Sequence, residues 1–248
     1  MIRLLIVSTI YLSCCVGNKV KLKLPTVVLL SFDGFRHDYI QRENLQNFQN
    51  LADAGVYSPT GMTNAFVTKT FPNHFTMVTG LYEESHGIVS NRMFDPVFNE
   101  YFKPSTGSYD PKWWNATVPI WIENELTAQY NNKTRKSGTV FWPGSYVPYL
   151  NHTQYYRKSP YDDDFPNRER FNIIMKLLKE EDPPNFITCY FAEPDKSSHE
   201  VGAKSPRLSK VLRNLDALLG EFVTNLSDHG LYHQVRLFLK CFLIHFNR

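Results

Sequence analysis

The chain has 248 residues, 42% of them hydrophobic and 15% aromatic, which is ample for a packed domain and unlike a disordered segment. The formal net charge of +3 is spread along the sequence with no Lys/Arg block, so a nucleic-acid polymer is not the expected main partner. After the first residues no apolar run reaches the roughly 18 needed to span a bilayer; "VRLFLKCFLIHF" at 235–246 is shorter and is interrupted by Lys240.

At the N-terminus, "MIRLLIVSTIYLSCCVG" sets Arg3 before an apolar run that ends in small residues. That is the pattern of a secretory signal over residues 1–17, a buried strand being the other reading. Four sequons, at Asn115, Asn132, Asn151 and Asn225, agree with a glycosylated, secreted chain. With Cys14 and Cys15 removed alongside the signal, only Cys189 and Cys241 would remain. Two cysteines make no disulfide scaffold, so they pair or Cys189 is a buried free thiol in its apolar run.

"PTVVLLSFDGF" reads as a buried strand closed by the Asp33–Gly34 turn. "TKTFPNH" follows, with Thr70 beside a Phe71–Pro72 step that would stiffen a loop presenting it. Residues 92–130, which include Trp113 and Trp114, lack clean periodicity and read as an insertion or a wall of loops. "GTVFWPG" (138–144) and "NFITCYFAEPD" (185–195) are further strand-like runs stopped by Gly or Pro. Between and after them lie two helical patterns. One places Phe171, Ile174, Met175 and Leu178 on a stripe; the other starts from Ser205 as N-cap and Pro206 in the first turn and runs through Leu208, Leu212, Leu215, Leu219 and Phe222. Buried strands alternating with amphipathic helices imply an α/β domain with a mostly parallel sheet. Ligands collect beyond the carboxyl ends of such strands, where Asp33 and Asp195 fall.

Three sets of residues could carry chemistry. Asp33, held at the rim of the sheet, could ligate a metal or merely close a turn. Asp195 and His199 are four residues apart, on one face if the segment after Pro194 is helical. They suit a zinc site, or else form an N-cap Asp with a solvated His. Thr70 needs activation to act as a nucleophile, and metal coordination is one route. A threonine on one of two paired metals would suit in-line displacement at phosphorus.

"LLSFDGFRHDY", "TKTFPNH", "VTGLYEESHGIVSN", "WPG" and "EPDKSSHEVG", in this order and spacing, resemble the ectonucleotide pyrophosphatase/phosphodiesterase family of the alkaline phosphatase superfamily, most closely its type 4 and type 5 members. The resemblance runs from about Thr26 to Tyr232. It implies an alkaline-phosphatase-like fold and a two-zinc extracellular hydrolase of nucleotide phosphodiester or pyrophosphate bonds. On its pattern Thr70 is the nucleophile, nucleotidylated in the course of reaction, and Asn91 holds a phosphoryl oxygen. Asp33 and Thr70 fall on the first zinc, and Asp195 and His199 on the second. Phe71 is a stacking face for the nucleotide base, with Tyr161 as the second face of the sandwich.

The sequence departs from that pattern toward its end. The family's catalytic domain continues well beyond 248 residues, and its first zinc takes a further Asp–His pair from a "SDHG" motif that closes a strand. "SDHG" here, at Ser227–Gly230, follows a helical pattern and precedes the strand-like "QVRLFLKCFLI", so Asp228 and His229 are expected to be decoys in a helix-to-strand loop. Each zinc is then left with two recognisable ligands, and the chain reads as the N-terminal part, over 18–248, of a phosphodiesterase domain. Ser198 stands where the family usually has glycine, and Ala203 where it has proline. An inactive secreted glycoprotein, binding partners through the aromatic segment around Trp113 and Trp114, is the alternative reading.

Overall fold

A computed structural model describes residues 19–127 and 132–241. The expected signal over 1–17 and the side chain of Cys241 lie outside the described residues. Cys189 is a free, buried thiol, and burial pushes its pKa up to about 12.

The chain opens with β1 (Thr26–Phe32), followed by α1 (Tyr39–Arg42), α2 (Gln46–Ala54), α3 (Thr70–Thr79) and α4 (Glu83–His86). Of the segment 92–130, the described residues 92–127 are more structured than their sequence suggests. They hold an antiparallel hairpin of β2 (Met93–Asp95) and β3 (Glu100–Phe102), then α5 (Pro104–Gly107), a 3-10 turn (Pro111–Trp113) and α6 (Ile120–Leu126). Elements of three to seven residues are too short to print a legible period. The second half runs β4 (Ser137–Val140), β5 (Tyr156–Lys158), α7 (Asn167–Leu178), β6 (Phe186–Phe191), α8 (Asp195–Val201), α9 (Pro206–Asp228) and β7 (Val235–Cys241).

Five strands form one sheet in the order β5-β4-β6-β1-β7, and every pairing in it is parallel. β1 and β6 sit inside the sheet and are apolar almost throughout, as strands covered on both faces must be. The run 138–144 contributes less strand than its composition suggests. β4 ends at Val140, because Phe141 takes a positive φ of 58° and turns the chain out of the ladder.

α9 is amphipathic as its pattern predicts, burying Leu208, Leu212, Leu215, Leu219 and Phe222 on one stripe, with the Ser205 hydroxyl accepting from Arg207 N at 3.2 Å as its N-cap. It packs against α2, α7 and α8. Asp216 of α9 takes over the capping of α2, whose own N-cap Leu45 has no side-chain acceptor: Oδ1 accepts from the Asn47 and Phe48 amides at 2.9 and 3.0 Å. An aromatic column from Phe32 to Phe191 (4.7 Å, stacked), Phe171 (4.8 Å) and Phe222 (4.9 Å) ties the sheet to α7 and α9. Trp113, Trp114 and Trp121 are buried in the core, so these tryptophans are packing and offer no binding surface, while Phe94, Phe98, Tyr101 and Tyr109 of the same segment are exposed.

Because the strands run parallel, the residues after β1, β4 and β6 emerge at one edge. The α9–β7 connection lies at the other: the His229 carbonyl accepts from Val20 N ahead of β1, and Val235 pairs with Thr26 at the start of both strands. Asp228 and His229 therefore sit at the opposite edge of the sheet from Asp33 and Asp195, at the helix-to-strand connection.

Candidate active site

Two turns at the carboxyl edge are pressed together. Asp33 N donates to the Phe191 carbonyl at 2.9 Å, and Asp195 N to the Asp33 carbonyl at 3.0 Å. Gly34 makes the approach possible. Its φ is +68°, and a Cβ there would lie 2.7 Å from Asp195 Cα and 2.9 Å from Asp195 Oδ1. Gly34→Ala is therefore expected to destabilise the chain by about 3 kcal/mol in urea unfolding, by strain and clash together; a stability equal to wild type would contradict the close approach.

The two carboxylates this brings together are poorly supplied with donors. Asp33 is buried, and only its Oδ2 has a full hydrogen bond, from the Tyr190 hydroxyl at 2.7 Å. Oδ1 of Asp33 and Oδ1 of Asp195 are buried without a hydrogen-bond partner. Burial, then the charge of Asp195, pushes the Asp33 pKa up to about 7, against hydrogen bonding from Tyr190 and, more weakly, Thr70. Burial, then the charge of Glu193, raises Asp195 to about 6, with Lys69 opposing. Two acids strained in this way are a ready acceptor set for a divalent cation, which would give both orphaned oxygens a partner.

The segment after Pro194 is helical, as Asp195 and His199 require. His199 Nε2 lies 3.3 Å from Asp195 Oδ2 across one turn of α8, with the imidazole exposed. Ser198, at the position expected to be glycine, is absorbed by this turn, its hydroxyl donating to the Asp195 carbonyl at 2.9 Å. Among the described residues no group of three or more His, Cys, Asp or Glu converges as a metal site. The oxygen and nitrogen donors of Asp33, Thr70, Asp195 and His199 suit zinc in kind, and as a set they are partial.

Thr70 sits on a helix rather than the loop its Phe71–Pro72 neighbours suggest: it is the first residue of α3. Pro72 fits in the first turn because amides there lack helical acceptors in any case. The Asn91 side chain caps the turn, Oδ1 accepting from Phe71 N at 2.9 Å. That bond commits Oδ1 and leaves the Nδ2 hydrogens as donors. The Thr70 hydroxyl is thus presented at a helix N-terminus, where the dipole favours negative charge, beside a side-chain amide donor and near enough to Asp33 to favour its charged form.

Thr70, Phe71 and Asn91 open on a cavity of about 440 Å³, walled further by Tyr109, Phe141, Tyr146, Tyr161 and Tyr190. Phe71 is braced by Phe102 and Trp114 (5.7 and 6.2 Å between centroids), and Tyr161 by Phe141 (5.5 Å). The two expected stacking faces therefore line one cavity from separate supports.

Four contributors escaped the sequence reading. Tyr190 holds Asp33; Asn73 ties residues 65–69 to α3 through Ala65 N, Val67 O and Lys69 O; Arg170 donates to the Tyr190 carbonyl at 2.9 Å and stacks over Phe141; His74 is buried beneath Thr70. Burial holds His74 neutral, its pKa lowered to about 3. The "FPNH" and "CYF" letters were visible, but nothing in their spacing separates a brace from ordinary core.

The model of the type I phosphodiesterase/nucleotide pyrophosphatase family matches residues 27–240, and the chain belongs to that family of hydrolases. Its relatives include the human bis(5'-adenosyl)-triphosphatase ENPP4, 40% identical over 217 residues that make up 87% of this chain and 46% of the relative. Human ectonucleotide pyrophosphatase/phosphodiesterase family member 5 is 35% identical, with 86% and 43% covered. The murine ENPP5 structure, an inactive threonine-to-alanine variant in complex with AMP, superimposes with a TM-score of 0.80 at 35% identity, over 87% of this chain and 56% of that one. The alkaline-phosphatase-like α/β fold is thus the one observed, and the chain spans about half the length of the curated relatives it matches.

Proposed function

We propose that the chain carries the nucleophile half of an extracellular, zinc-dependent nucleotide pyrophosphatase/phosphodiesterase, with Thr70 as the nucleophile. The observation that carries this reading is the set of two orphaned carboxylate oxygens, on Asp33 and Asp195, beside a threonine hydroxyl at a helix N-terminus and the mouth of an aromatic cavity. Asp33 with Thr70, and Asp195 with His199, would hold the metals. When bound, zinc supplies positive charge that favours the ionised hydroxyl and offsets the charge on the phosphoryl group.

The side chains do the rest. Phe71 and Tyr161 receive the base, Asn91 donates Nδ2–H to a phosphoryl oxygen, and Asp33 orients the Thr70 hydroxyl. The Thr70 Oγ–P bond forms as the bond to the leaving oxygen breaks; the hydroxyl proton passes to solvent and the leaving group takes one up. Water then cleaves the threonyl–nucleotide ester, releasing the nucleoside monophosphate and restoring Thr70. Support for an extracellular site comes from the sequons: Asn115, Asn132, Asn151 and Asn225 are all exposed. Among the described residues no helix is long and apolar enough to cross a membrane.

The cavity assignment is tested by calorimetric titration with AMP. Phe71→Ala is expected to weaken binding about tenfold, the loss of one base–aromatic stack. AMP binding untouched by that change would place the base elsewhere.

A further inference from the structure

We propose that His74 is a positioning residue, fixing Thr70 through its main-chain carbonyl against the strand that leads into Asp33; this rests on the reading of Thr70 as nucleophile. His74 Nδ1 lies 2.7 Å from the Thr70 carbonyl oxygen, and Nε2 lies 2.8 Å from Ser31 Oγ. A carbonyl only accepts, so Nδ1 carries the proton and Nε2 accepts from the Ser31 hydroxyl. Both faces of the imidazole chemistry are used at once, and one tautomer satisfies them.

The two anchors belong to the two halves of the site. Ser31 is a buried residue of β1, two positions before Asp33 and therefore on the same side of the extended chain. Thr70 begins α3, where helix ends ordinarily fray. The ring cannot move aside: Trp142 and Tyr190 meet it edge-on at 5.2 and 5.0 Å, and Trp142 Nε1 donates to the His74 carbonyl at 3.2 Å. Tyr190 is also the donor to Asp33. One buried ring thus sets the distance between helix N-terminus and carboxylate, and it never touches substrate.

The test is nuclear magnetic resonance on the metal-free full chain, with His74→Asn, His74→Leu and Ser31→Ala. Asparagine places its amide nitrogen where Nδ1 was and keeps the bond to Thr70; leucine removes it. Wild type is expected to show the Nδ1-protonated tautomer in long-range ¹H–¹⁵N spectra and a single Thr70 χ1 rotamer. His74→Asn retains that rotamer. His74→Leu averages it and speeds amide exchange at Phe71 and Asn73 about tenfold, the effect of one lost hydrogen bond. Should the leucine variant fail to fold, Ser31→Ala decides, with a partly averaged rotamer expected because the ring loses its outer anchor. An Nε2-protonated ring, or a Thr70 rotamer unmoved in the leucine and Ser31 variants, overturns the proposal. Turnover retained in Thr70→Ala would instead sink the nucleophile assignment alone, leaving the brace to these spectra.

Discussion

In a chain extended to the length of its relatives' catalytic domain and supplied with zinc, Thr70→Ala is expected to reduce hydrolysis of an aryl nucleotide phosphodiester to the blank rate, a loss of about 10,000-fold or more. The expectation is specific to the hydroxyl. His74 holds Thr70 by its carbonyl, which alanine keeps, and the Asn91 cap binds the Phe71 amide, which is unchanged. The variant should therefore fold as wild type does, with α3 intact. Thr70→Ser, which restores a hydroxyl, is expected to recover part of the rate. Turnover in the alanine variant at the wild-type level would remove Thr70 from the chemistry.

The second large effect concerns stability. Asp33 in the folded chain has its pKa raised from the ordinary 3.8 to about 7, so the folded state binds its proton more tightly than the unfolded state does. The stability it contributes is complete below pH 3.8 and is lost as pH rises through about 7. In the metal-free chain the ionised, buried carboxylate is therefore a net cost at pH 8. Asp33→Asn is thus expected to stabilise the metal-free chain at pH 8 by about 1–3 kcal/mol, the range for relieving an unsatisfied buried group, and to flatten its pH dependence, as read in urea midpoints at pH 5 and pH 8. Zinc should stabilise wild type most at pH 8 and Asp33→Asn little. A mutant less stable than wild type at pH 8 would mean that the carboxylate is satisfied by the protein itself.

Much of this arrangement is legible in the letters. The apolar run before Asp33, the alternation of strands with amphipathic helices and the Ser205–Pro206 start of α9 fix local structure by patterns that tertiary packing leaves intact. Asp195 and His199 could be placed on one face because a four-residue spacing has one meaning once the segment is helical. What failed to show was decided by contacts distant in sequence. Phe71–Pro72 suggested a stiff loop, because the capping acceptor for the Phe71 amide lies twenty residues away at Asn91. The tryptophans of residues 113–114 suggested a binding surface, because only the fold reveals Phe75 and Phe102 packed against Trp114. Tyr190 and His74 look like core in sequence, and they are core; their polar atoms acquire a role from Asp33, Ser31 and Thr70, which other elements bring to them.

Mass spectrometry of Thr70 itself tests the central claim most directly. A chain extended to the length of its relatives' catalytic domain, supplied with zinc and an aryl ester of AMP, is quenched in acid and digested. The account predicts an adenylyl group on the peptide containing Thr70, absent in Thr70→Ala. An unmodified Thr70 in the wild-type chain, or an adduct at another residue, would contradict it.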